Sequence, residues 1–135
     1  MRIKQVISIG ALILGSSVAM AGKLQPAPVL VTLNDDGSGS ASGDMVSARF
    51  SDNDVEAMGC GIRRFDDGAG NSYEYAFCQA TAADTVRGVC FTESPTLIKA
   101  VADVSDYSYI SFAWNVDGDC IAIGSSTQSF YIPGQ

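Results

Sequence analysis

Three observations predict a mostly β fold. Short runs of aromatic and β-branched residues alternate with turns rich in glycine, aspartate and serine. Four cysteines occur in a chain of 135 residues that contains no histidine, and an apolar leader stands at the start. Together they predict an exported domain built as a single small antiparallel sheet, a sandwich or a barrel. It should hold about six or seven strands, one short α-helix and two disulfides.

The leader comes first. Arg2 and Lys4 precede an apolar run from Val6 to Val18, and Ala19-Met20-Ala21 supplies the small residues that signal peptidases read. Residues 1–21 therefore read as a signal peptide cut before Gly22, because the apolar run is shorter than the roughly 20 residues of a spanning helix. No membrane insertion is expected after cleavage. The remaining 114 residues are one domain's worth, with six basic residues against fifteen acidic ones and a net charge of −9. Nucleic acid is excluded as a partner, since phosphate binding needs clustered cations and only Arg63-Arg64 are adjacent.

Residues 22–43 read as a flexible or peripheral extended segment: prolines at 26 and 28, a candidate edge strand at Val29–Leu33, then a loop from Asn34 to Ser40. The disulfide-braced β domain is placed at 44–135. Within it Met45–Phe50 reads as a short strand, and a second strand holds Met58-Gly59-Cys60-Gly61-Ile62. Asp66–Asn71 is a turn by composition. Tyr73–Thr92 is the central hairpin: Asp84 sits at its tip, so Cys78 opposes Cys90 and Phe77 lies beside Phe91. Cys60 comes near Cys78 across the preceding turn. Two pairings then stay open, Cys60–Cys78 with Cys90–Cys120 or Cys78–Cys90 with Cys60–Cys120, and the first is preferred.

Ser94-Pro95 opens a helix of roughly ten residues, with Leu97, Ile98, Val101 and Ala102 as its apolar stripe. In Tyr107–Asn115 a period of two returns, placing Ile110, Phe112 and Trp114 on one face. A two-residue Asp117-Gly118 turn would set Trp114 opposite Ile121 and point Cys120 to the other face. Ser129–Ile132 can close the sheet as a last strand.

Candidate chemistry is sparse. Without histidine, serine and cysteine hydrolases of the usual type and common zinc sites fall away. The cysteines lack Cys-x-x-Cys spacing, so they read as structural bridges. Asn34–Ser38, Asp52–Glu56 and Asp66–Asn71 offer hard oxygen ligands, yet none matches an EF-hand loop; no metal or cofactor is expected. Tyrosines are the remaining lead. Tyr107 and Tyr109, followed by Tyr73 and Tyr75, are the candidate binding surface, because tyrosines on a sheet stack on sugars or anchor proteins.

Gly59-Cys60, Tyr75-Ala76-Phe77-Cys78, Ser94-Pro95-Thr96-Leu97-Ile98 and Tyr109–Trp114 with Cys120 can be read together. This set resembles small secreted proteins of Gram-negative bacteria that share a cysteine-strand pattern and generally have no assigned activity. The resemblance implies a four-cysteine β-domain and transfers no catalytic residue. The functional expectation is an exported, non-enzymatic binding or protein-interaction module, meeting a protein or glycan partner in the envelope or the medium. The alternatives are a secreted carbohydrate-active protein using acidic residues and an inhibitor of a secreted hydrolase.

Overall fold

The computed structural model describes residues 22–134, so the proposed signal peptide lies outside the described residues. Seven strands form two antiparallel sheets facing each other across one core. The first sheet has the order β1-β2-β6-β7: β1 is Leu30–Leu33, β2 Gly39–Asp44, β6 Tyr109–Trp114 and β7 Cys120–Ser126. The second has the order β3-β4-β5: β3 is Ala57–Asp66, β4 Ser72–Thr81 and β5 Arg87–Thr92. Helix α1 (Met45–Arg49) follows β2, α2 (Pro95–Ala102) links the sheets, and Ser129–Tyr131 forms a 3-10 turn. The mostly β class, the seven strands and the main helix after Ser94 are as the sequence predicts.

The cysteines pair as Cys60–Cys78 and Cys90–Cys120. Cys60 opposes Cys78 in the β3–β4 register, so the first bridge staples one hairpin. The second joins β5 to β7 and ties the two sheets together.

The core is asymmetric. The first sheet supplies bulk with Ile110, Phe112 and Trp114, all buried, while the second supplies small side chains at Ala76, Cys78, Ala80 and Cys90. The Trp114 indole needs two glycines. A Cβ at Gly88 would lie 2.8 Å from Cζ3, and one at Gly39 2.9 Å from Cε2, both too close for carbon. The indole Nε1 donates to the Gly37 carbonyl at 3.1 Å, so its polar edge is satisfied inside the fold. Helix α2 closes one side by burying Ile98 and Val101.

Four expectations need correction. Gly39–Asp44 lies largely in the extended or looping segment by composition, yet β2 is an inner strand between β1 and β6. Its small residues let backbones approach, as at Gly43, where a Cβ would touch the Val29 Cα at 3.0 Å. Met45–Arg49 is a helix and not a strand, because Asp44 caps it: the carboxylate accepts from Ser47 N at 2.7 Å and from Ala27 N at 2.6 Å. The β6–β7 turn is longer than two residues. Asn115 N bonds Asp119 O at 3.0 Å, Gly118 takes φ +83°, and a bulge follows Ala113. Trp114 therefore opposes Cys120, whose side chain is buried on the core side, and Ile121 is left exposed. Finally, Ser129–Ile132 does not extend the sheet: Ser129–Tyr131 is a 3-10 turn that buries Tyr131, with Ile132 as its cap.

Candidate aromatic binding face

Strand alternation decides which side chains leave the core. With Ala76, Cys78 and Ala80 turned inward on β4, Tyr73, Tyr75 and Phe77 turn outward. The register that pairs Cys60 with Cys78 also sets Phe65 opposite Tyr73 and Arg63 opposite Tyr75. The register that sets Cys78 against Cys90 puts Phe91 opposite Phe77. The outer face of the second sheet is thus an aromatic ribbon. Phe65 stacks on Tyr73 with ring centroids 5.7 Å apart, Tyr73 meets Tyr75 at 5.7 Å, and Tyr75 reaches Phe91 at 6.1 Å. Phe65, Tyr73 and Phe91 are about half exposed, at 54%, 51% and 50%. Exposed rings that adjoin one another on one sheet face make this a candidate interaction surface.

At one end the ribbon dips into a groove of about 580 Å³ lined by Tyr73, Tyr75, Phe91, Thr92, Glu93 and Asp119. Glu93 arrives just past the end of β5. Asp119 arrives through the inter-sheet bridge: Phe91 and Asp119 each adjoin a cysteine of Cys90–Cys120, and Phe91 N bonds Gly118 O at 3.2 Å. The disulfide thereby sets an acid from one sheet beside an aromatic ring from the other. Neither carboxylate is in an ion pair; among the described residues the ion pairs are Arg64–Glu74 and Lys99–Asp103, at 2.8 and 3.2 Å.

The four predicted tyrosines do not share a surface. Tyr73 and Tyr75 lie on the ribbon. Tyr109 sits on the first sheet, half-buried and stacked on Tyr131 at 5.7 Å. Tyr107 precedes that strand in a left-handed conformation (φ +61°) and lines a separate apolar pocket of about 430 Å³ with Met45, Phe50 and Met58. Phe65, Phe91, Glu93 and Asp119 are the residues the sequence reading missed. The signal for the first two was present: extending the cysteine register outward along both hairpins brings them to the tyrosines.

The acidic stretches weighed as calcium ligands build turns. Asp36 accepts from the Ser38 hydroxyl and amide, which holds its carboxyl below the ordinary 3.8. Asp67 accepts from the Asn71 side chain and from the Ala69 and Asn71 amides, with the same effect. Asn53 accepts from Val55 and Glu56, and Glu56 accepts from Val29 N at 3.2 Å. Among the described residues no group of three or more acids, cysteines or histidines converges on a metal position. No described helix is long and apolar enough to cross a membrane. Comparison with protein-family models, curated proteins and solved structures found no match to the chain.

Proposed function

We propose that the protein is an exported, non-enzymatic binding module whose ligand surface is the outer aromatic face of β3, β4 and β5. The observation that carries this reading is the contiguous ribbon Phe65–Tyr73–Tyr75–Phe91, half exposed on a sheet braced by disulfides. Aromatic side chains offer large contact area at low conformational cost, and a rigid scaffold lowers the ordering cost of binding. Export is supported by the leader and by two disulfides, which persist in oxidising compartments. A partner at the envelope or in the medium follows from that location.

The test uses protein expressed from the full chain into an oxidising periplasm and purified with its bridges intact. It should recover a partner from envelope or medium fractions, and the Tyr73→Ser/Phe91→Ser variant should lose it. Tyr107→Ala/Tyr109→Ala should keep it. Equal recovery by wild type and Tyr73→Ser/Phe91→Ser sinks the reading. A second reading, a secreted carbohydrate-active protein, is favoured by Glu93 and Asp119 lining one groove with three rings. Turnover of a polysaccharide that disappears in Glu93→Gln would support it over the first.

A further inference from the structure

The groove combines two features that point to one ligand chemistry. Tyr73, Tyr75 and Phe91 are tilted against one another, by 37° between the tyrosines and 55° between Tyr75 and Phe91. A sugar stacks best on a flat platform, whereas these three rings are tilted and line one groove, where a cation is attracted to the negative face of any of them. Glu93 and Asp119 stand on the same volume with no cationic partner. Among the described residues the Asp119 carboxylate accepts only from the Asn115 side-chain amide, at 3.4 Å, so covering the two carboxylates with a neutral ligand desolvates charge that a cation would compensate. The ribbon already holds such a group of its own: the Arg63 guanidinium lies 5.1 Å from the Phe77 ring centroid, next to Tyr75.

From these we infer that the Tyr73–Tyr75–Phe91 groove receives an arginine side chain from a basic segment of a protein partner, with its guanidinium on the rings and its N–H groups donating to Glu93 and Asp119. The inference rests on the binding-module reading and names its partner's chemistry. Arginine fits better than lysine because its planar, weakly hydrated head both stacks and forks toward carboxylates. The chain's net charge of −9 without its leader draws a basic segment toward this face at long range.

The probe is a short glycine-serine peptide bearing two arginines, acetylated and amidated, titrated into the disulfide-bonded protein at physiological salt and followed by NMR. The control peptide carries citrulline, which keeps the shape and removes the charge. The arginine peptide should shift the ring signals of Tyr73, Tyr75 and Phe91. The citrulline peptide, which loses the cation–π contact and the charge on its N–H groups, and the arginine peptide against Glu93→Gln/Asp119→Asn, which loses the charge on both acceptors, should each bind about tenfold more weakly. Both substituted residues are exposed, so the variant should keep the wild-type melting temperature.

Equal affinity for the two peptides, shifts confined to other surfaces, no binding at all, or saturation of the groove by a neutral oligosaccharide alone would each overturn the arginine assignment. If the assignment fails while Tyr73→Ser/Phe91→Ser still abolishes partner recovery, the binding-module reading stands. If that variant recovers the partner unchanged, the reading itself fails with it.

Discussion

Gly88→Ala tests how the two sheets fit. The added Cβ would meet the Trp114 indole at 2.8 Å from Cζ3 and closer still at Cη2, and the indole cannot retreat because Gly39 backs it on the other side. Overpacking of a filled core costs typically about 1–3 kcal/mol, whereas replacing glycine by alanine returns about 0.4–1 kcal/mol through the unfolded chain. The net expectation is a loss of about 1–2 kcal/mol. Gly59→Ala, on the same sheet with nothing within 4 Å of its Cβ, should instead be neutral or stabilising. Urea unfolding of both variants reads these values, and a cycle with Trp114→Phe reads the cause. In the Trp114→Phe background, where the ring is smaller, Gly88→Ala should cost at least about 1 kcal/mol less, a coupling of the size seen between touching residues. An unchanged cost in that background, or a Gly88→Ala protein as stable as wild type, would refute the packing argument.

Three further outcomes follow from the same structure. Cys90→Ala/Cys120→Ala opens a loop spanning 30 residues, and chain entropy puts the loss near 3.6 kcal/mol, or about 15 °C in Tm by calorimetry. The same variant should also bind the arginine peptide more weakly, since the bridge sets Phe91 beside Asp119. Asp44→Ala removes a buried carboxylate that caps α1 and anchors Ala27, and should cost about 2–4 kcal/mol in denaturant unfolding. Asp36 and Asp67 have folded values depressed below 3.8, so the stability they contribute is present above that pH and fades as pH falls through the lowered values. Carboxyl NMR titration should place both below 3.8 and should bring Asp67 back toward it in Asn71→Ala.

What was legible in the sequence was local. Asp66–Asn71 and the Asp84 turn fix two hairpins by composition, and counting back from each turn sets Cys60 opposite Cys78, Cys78 opposite Cys90 and Phe77 opposite Phe91, a register that leaves two disulfide pairings open. Ser94-Pro95 announces α2 because a proline at the first helical position acts locally; the Ser94 side chain itself makes no capping hydrogen bond. The failures are non-local or a single residue wide. Strand β2 is Gly-Ser-Ala-Ser-Gly-Asp, whose composition says loop; only the neighbouring backbones and Trp114 make its lack of side chains an asset. One bulge residue at the β6–β7 turn reverses where Cys120 points, because side chains alternate with a period of two. The candidate site splits the same way. Tyr73 and Tyr75 follow from hairpin alternation, while Glu93 and Asp119 join them only after the Cys90–Cys120 bridge brings the sheets together.

Photo-crosslinking in living cells tests the binding face most directly. p-Benzoylphenylalanine replacing Phe91, at the groove, should yield an adduct with a partner, and the same group replacing Ile121, exposed at 61% on the other sheet, should not. Adducts from position 121 in equal yield, or none from position 91 alongside capture elsewhere on the molecule, would contradict the assignment of this face.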